Sequence, residues 1–117
     1  MIEELKSKSC KPCERGDTPF NAGQIERYLS KLEGWYPGEA RKSIWKDFSM
    51  KDFTAAVRFV NAIADLAESE GHHPDIHLTR FRKVRIELST FAIEGISEND
   101  FIMATKIEAL PKEIKAK

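Results

Sequence analysis

The spacing of hydrophobic and polar residues predicts a helix in the first half of the chain, over residues 21–34. Asn21 can cap its start with Gln24 three residues later, and Gly34 can close it. The apolar positions recur at helical spacing. They are Ile25, Tyr28, Leu29 and Leu32.

A longer helix is predicted from about Lys51 to Glu70, after the capping signal Ser49–Asp52. Gly71 ends this helix, and Pro74 prevents its continuation because proline lacks the amide donor. Its polar positions lie largely away from one broad apolar face. That face comprises Phe53, Ala56, Val57, Val60, Ile63, Ala64 and Ala67.

Two pairs of short extended segments flank the long helix. The first pair, Trp35–Tyr36 and Lys42–Phe48, surrounds a Pro-Gly turn, and the second is Ile76–Thr79 with Lys83–Phe91. The last segment alternates cleanly and is the clearest strand of the chain. One face carries Val84, Ile86, Leu88 and Thr90, and the other carries Arg85, Glu87, Ser89 and Phe91.

A third helix is predicted after the capping signal Ser97–Asp100, and Pro111 follows it. The element order is therefore α-β-β-α-β-β-α. Because each strand pair is close in sequence, we expect an α+β fold: one four-stranded antiparallel sheet with the helices packed on one face. We assign residues 19–112 to this domain, residues 1–18 to a polar N-terminal leader, and residues 113–117 to a charged tail.

Composition narrows the function classes. The chain has 117 residues, 41% hydrophobic and 32% charged, which is typical of one soluble domain with a modest core. Nineteen basic residues balance nineteen acidic ones, so no net field favours direct contact with nucleic acid. No apolar run approaches the length of a membrane span, and the first residues lack the apolar core of a signal peptide. We therefore expect a cytoplasmic protein that contacts no membrane.

Both cysteines lie in the leader as one CxxC, Cys10 and Cys13. A single pair supplies half a tetrahedral zinc site or a redox dithiol. A redox role normally places the pair after a strand, whereas here Pro12 lies in a polar segment with no strand before it. A structural or incidental role is favoured, and a zinc site remains the alternative.

All three histidines lie in one corner, at His72, His73 and His77. Pro74 separates His73 from His77, so they cannot share a helix face as paired metal ligands do, and no metal is expected. Paired imidazoles suit acid/base chemistry near neutral pH. The ordinary alternative is that they hydrogen-bond the last carbonyls of the helix.

Acidic residues near this corner also have ordinary explanations. Asp100 is accounted for as a capping-box residue of the third helix. Glu68 and Glu70, in the last turn of the long helix, belong by default to a solvated face.

Three motifs together resemble the pterin-4a-carbinolamine dehydratase family, also known as the dimerisation cofactor of a hepatocyte homeodomain factor. They are Glu68-x-x-x-His72-His73-Pro74, Leu88-Ser89-Thr90 and Gly95-x-Ser-Glu-x-Asp100. The resemblance extends from about Asn21 to Leu110, nearly the whole domain.

The resemblance implies dehydration of 4a-hydroxytetrahydropterin to quinonoid dihydropterin, a step that recycles the tetrahydropterin cofactor of hydroxylases. It implies that His72 and His73 bind the pterin and transfer protons, with Asp100 as the matching carboxylate. It also implies a homodimer or homotetramer, and no cofactor or metal. The implied substrate-binding residues are Glu68, Pro74, Ser89, Thr90 and Phe91.

One position departs from the family pattern. Where that pattern continues Ser-Thr-His, this chain has Phe91, which can stack on a flat ring but cannot transfer a proton. His77 could supply the missing group only if it faces the pocket. Phe91 keeps open the alternative of a catalytically weakened relative acting as a protein-binding, assembly or coactivator module. A third alternative is a metal-binding protein that joins Cys10 and Cys13 to the histidine corner.

Overall fold

The computed structural model describes residues 2–11 and 17–116. Within them lies one antiparallel sheet with strand order β1-β2-β4-β3. Its strands are β1 (Tyr36–Pro37), β2 (Ile44–Ser49), β3 (Asp75–Thr79) and β4 (Lys83–Leu88). The predicted α+β fold and its antiparallel sheet are confirmed.

Four α-helices accompany the sheet in the described part of the chain. They are α1 (Ile2–Ser7), α2 (Ala22–Leu29), α3 (Phe53–Glu70) and α4 (Glu98–Ala109). Helices α3 and α4 contact β4 and each other, and α1 packs on α4. The pattern of the leader did not indicate α1, whose Leu5 is nevertheless buried in the core. Two apolar residues, Ile2 and Leu5, in a short polar segment are too weak a signal to predict a helix.

Alternation along β4 positions the core against the helices. Val84, Ile86 and Leu88 are fully buried, while the residues between them are partly exposed. The strand ends at Leu88, earlier than the predicted Phe91. The backbone of Thr90 pairs with Gly95 instead, and a 3₁₀ turn begins at Phe91.

The limits of α3 follow from its caps. Asp52 is the N-cap, and its side chain accepts a hydrogen bond from the Ala55 amide at 2.8 Å.

Phe53 was expected on the buried face of α3 but is 54% exposed. Successive residues of an α-helix are rotated by about 100° around its axis, which places Phe53 roughly 90° away from the centre of the stripe that is actually buried. That stripe comprises Ala55, Ala56, Phe59, Ile63 and Ala67.

Two of the three predicted capping signals form capping boxes, whereas in the third Asp52 and not Ser49 is the N-cap, because Ser49 ends β2. Asn21 and Gln24 cap α2, and Ser97 and Asp100 cap α4. Helix α2 ends at Leu29, however, well before the predicted terminator Gly34.

No helix among the described residues is both long enough and apolar enough to cross a bilayer.

Candidate functional site

A pocket of about 350 Å³ opens where the end of α3 meets the turn after β4. Five residues that the sequence assigned to the site line it. They are His72, His73, Ser89, Thr90 and Phe91. The structure therefore brings together two segments that are separated by the β3–β4 hairpin in sequence.

Gly71 determines how the histidines leave α3. Its backbone is left-handed, with φ of 68°, a conformation that glycine adopts without the steric cost of a Cβ. The amides of Gly71 and His72 both donate to the Ala67 carbonyl, at 2.9 and 3.3 Å. The helix is thus capped by backbone groups, and the imidazole of neither histidine is needed to cap it.

The His72 imidazole is fixed by Asp100. Its Nε2 lies 2.7 Å from Oδ1 of Asp100, and the His72 side chain is 12% exposed. A carboxylate oxygen accepts, so Nε2 donates. The opposite nitrogen, Nδ1, then remains available for a ligand, as an acceptor in the neutral ring and as a donor in the imidazolium.

Asp100 is completely buried, yet each of its oxygens is satisfied. Oδ1 accepts from His72, while Oδ2 accepts from the Thr90 hydroxyl at 2.9 Å and from the Ser97 amide at 3.0 Å. A buried carboxylate requires such partners because its desolvation is costly. One side chain therefore both caps α4 and hydrogen-bonds the His72 imidazole.

His73 has a separate carboxylate partner, Glu68. Its Nε2 hydrogen-bonds Oε2 of Glu68, which lies five residues earlier in the last turn of α3. Both side chains are mostly exposed, so this pair is weaker and more accessible to solvent than the one behind His72. The Nε2 atoms of the two imidazoles therefore bind different carboxylates, while both rings line the same pocket.

The other residues that the sequence assigned to the site differ in their distance from the pocket. Glu68 supports His73 from outside the pocket lining, and Pro74, half-buried, does not line the pocket. Phe91 is 78% exposed at the edge of the pocket, which is unusual for so large an apolar ring. An exposed ring at a pocket edge provides a surface on which a flat ligand can stack.

His77 lies away from this pocket. It is exposed on β3, paired in register with Arg85, and lines a separate depression on the open face of the sheet. It is therefore not positioned to replace a histidine at Phe91. Across the described residues, no group of three or more His, Cys, Asp or Glu side chains could hold a metal ion.

Sequence reasoning missed the contribution of the leader to the pocket. Lys11 and Asn99 both line it, together with Gly71 and Ala92. The Lys11 amide donates to Asn99 Oδ1 at 2.9 Å, and Asn99 Nδ2 donates to the Lys11 carbonyl at 2.5 Å. Asn99 lies inside the Gly95–Asp100 motif, but nothing in the sequence pairs it with a residue so distant.

Glu70 anchors the same segment. It accepts from the Cys10 amide at 2.8 Å and from Lys106 Nζ at 2.7 Å, and its side chain is only 11% exposed. The hydrogen bond from Lys106, followed by that from Cys10, lowers the pKa of Glu70 from its ordinary value. The expectation that Glu70 belongs to a solvated face is therefore wrong.

Cys10 is half-buried beside this carboxylate. Burial, with a further effect from Glu70, raises the pKa of its thiol to about 12. A thiol held in its protonated form is a poor nucleophile and a poor metal ligand. Cys13 lies outside the described residues, so the roles considered for the CxxC pair stay predictions.

Comparisons with known proteins show the family to which this chain is similar. A family model described as pterin 4 alpha carbinolamine dehydratase matches residues 18–110. A protein from Nitrosospira multiformis, provisionally named a pterin-4-alpha-carbinolamine dehydratase, is 44% identical over 93% of this chain and 94% of its own. Pterin-4-alpha-carbinolamine dehydratase 2, mitochondrial, from Arabidopsis thaliana is 39% identical over 96% of this chain and 62% of its own.

A solved structure has the same fold. The transcriptional coactivator/pterin dehydratase from Brucella melitensis superimposes with a TM-score of 0.74 at 30% identity, covering 79% of this chain and 97% of that one. The family match spans both the histidine corner and the Asp100 helix. This chain therefore belongs to the pterin 4 alpha carbinolamine dehydratase family.

Proposed function

We propose that this protein dehydrates a 4a-hydroxytetrahydropterin to quinonoid dihydropterin and water, using histidine acid/base catalysis without a metal. One observation carries the proposal. His72 and His73 line the same pocket, and each is held through Nε2 by its own carboxylate. That arrangement supports two proton transfers at different points of one substrate.

The reaction needs both transfers. The bond from carbon 4a to the hydroxyl oxygen breaks, and a general acid protonates the leaving oxygen so that it departs as water. A base removes the proton from the adjacent ring nitrogen, whose electron pair then forms the new carbon–nitrogen double bond. His72 and His73 divide these two roles, while Asp100 and Glu68 orient the rings.

The pterin would enter beside Phe91. A bicyclic pterin is flat, and the exposed ring of Phe91 with Ser89 and Thr90 supplies one apolar surface and two hydroxyl groups. The pocket volume of about 350 Å³ suits a ligand of this size.

The test is the decay of freshly generated 4a-hydroxytetrahydropterin, followed with and without the purified protein. We expect wild-type protein to accelerate the decay, and His72→Ala and His73→Ala to lose about 10²- to 10⁴-fold of that acceleration each. The pH profiles of the two single variants assign the roles. Loss of the acid removes the fall in rate at high pH, and loss of the base removes the fall at low pH.

His77→Ala is the matched control. It removes the third imidazole of the same chain from the open sheet face, outside the pocket. It should turn over at the wild-type rate. A variant of His77 as impaired as those of His72 and His73 would contradict the assignment of the pocket.

Phe91 and the Brucella melitensis relative favour a second candidate. That relative is named both a transcriptional coactivator and a pterin dehydratase, and Phe91 cannot transfer the proton that a histidine could. In this alternative the fold serves chiefly as a protein-binding module. A folded protein that gives no acceleration, but copurifies with a defined protein in stoichiometric amount, would favour it.

A homodimer or homotetramer and a cytoplasmic location also belong to the proposal. Strands β1 and β3 are the outer strands of the sheet, and an unpaired strand edge favours association with a second copy. Light scattering coupled to size-exclusion chromatography measures the assembly directly.

A further inference from the structure

Lys11 lies where two pockets meet. The pocket that contains the histidines and a second one of about 240 Å³ share Lys11 and Asn99 in their walls. The second pocket extends toward α1 and is also lined by Lys8 and Glu98. A ligand that fills the first pocket with a flat ring could therefore extend a side chain past Lys11 into the second.

The position of Lys11 is fixed by backbone contacts. Its amide and its carbonyl both hydrogen-bond the side-chain amide of Asn99, which is 7% exposed. The preceding residue, Cys10, is held by Glu70 at 2.8 Å. The Lys11 side chain takes no part in this anchoring, so it is free to meet a ligand.

The charge around Lys11 is unbalanced. In the second pocket Lys8 pairs with Glu98 at 3.0 Å, which cancels their charges. Among the described residues no carboxylate lines the first pocket, and Asp100 is buried behind His72. Lys11 makes no ion pair with any residue in the described ranges 2–11 and 17–116, and its side chain is exposed. The junction therefore presents one uncompensated positive charge.

We propose that Lys11 selects pterins whose side chain carries an anionic group, a carboxylate or a phosphate. The inference rests on the proposed function, since it requires a pterin ring in the histidine pocket. A cation beside an anion in a partly enclosed cleft contributes modestly to affinity and loses that contribution at high salt. Lys11 is then a specificity residue supplied by the N-terminal segment.

The experiment is equilibrium dialysis of the full chain against three pterins. They are 6-hydroxymethylpterin, its phosphate ester and pterin-6-carboxylate. At low ionic strength we expect the anionic ligands to bind about threefold to fivefold more tightly than the neutral one, and this preference to vanish in Lys11→Gln. Tighter binding of only one anion would support the proposal and identify that group as the natural one.

Lys6→Gln is the matched control, because it removes the same charge from an exposed position of the same segment that lines neither pocket. It should keep the preference. Equal binding of all three pterins, or a preference that persists in Lys11→Gln, would overturn the role of Lys11 alone. Failure of every pterin to bind the wild-type chain would overturn the proposed function as well.

Discussion

The carboxylate of Asp100 caps its own helix and holds His72, which lies 28 positions earlier in the chain, at 2.7 Å. A helix cap is among the most locally determined features of a protein, whereas the placement of a distant imidazole depends on the whole fold. Because one side chain performs both tasks, the geometry of His72 is tied to the start of α4. Changing Asp100 or its partners is therefore expected to alter both stability and turnover, and the two effects can be measured separately.

Asp100→Asn should lower both the unfolding free energy and the turnover. An amide presents one acceptor and one donor, so it cannot accept from His72 on one side and from Thr90 and Ser97 on the other. We expect turnover to fall about 10²- to 10⁴-fold and unfolding free energy by about 1–3 kcal/mol. Steady-state kinetics and urea denaturation measure the two effects. A variant with wild-type turnover would show that His72 needs no carboxylate.

Thr90→Val tests the buried hydroxyl that supports Asp100. Valine has a similar shape but leaves Oδ2 of Asp100 with one donor fewer, and it removes one of the two partners of the Ser97 hydroxyl, the other being the Asn99 amide. We expect a loss of about 1–2 kcal/mol in unfolding free energy, measured by urea denaturation. Thr90→Ser, which retains the hydroxyl, should recover most of it. A Thr90→Val variant as stable as wild type would show that the hydroxyl contributes nothing to stability.

Phe91→His restores a proton-transferring group at the edge of the pocket. Phe91 is 78% exposed, so its replacement should leave the unfolding transition nearly unchanged. We expect the substitution to raise kcat for the dehydration, because an imidazole there can donate or accept a proton, and to weaken pterin binding as stacking area is lost. Kinetics over a range of substrate concentration separate the two effects. An unchanged or lower kcat would mean that the reaction does not use a third imidazole.

Local patterns predicted the elements and the histidine corner well. The alternation of Val84, Ile86 and Leu88 determines which face of β4 is buried, and Gly71 ends α3 where the sequence indicates. These features depend on neighbours within a few residues, so a single sequence contains the relevant information.

Features that depend on distant contacts were not predictable in the same way. Leu5 lies in a helix that packs on α4, and Lys11 enters the pocket only because Asn99 holds its backbone. Glu70 looked like a surface residue because its partners, Cys10 and Lys106, lie far from it in the chain. Such partners become visible only once the tertiary structure places them side by side.

Glu70 should make stability depend on pH in a defined direction. The hydrogen bond from Lys106 is the main reason that the folded state lowers the pKa of this carboxyl. A depressed pKa means that the folded state favours the ionised form, so the stabilisation is present above the ordinary value of about 4.5 and is lost as pH falls through the folded value. The stabilising contribution should therefore be complete at pH 7 and absent in strong acid.

Glu70→Gln keeps the size of the side chain but removes its charge, and its single carboxamide oxygen can accept from the Cys10 amide or from Lys106 but not from both. We expect the variant to be about 1–2 kcal/mol less stable than wild type at pH 7, by urea denaturation, and the difference to shrink as the pH is lowered from about 5 toward 3. Glu26→Gln, which removes an exposed carboxylate paired with Arg41 at 3.5 Å, is the control and should show little change at any pH. A Glu70→Gln difference that stays constant across this range would mean that Glu70 acts through its shape and number of acceptors and not through its charge.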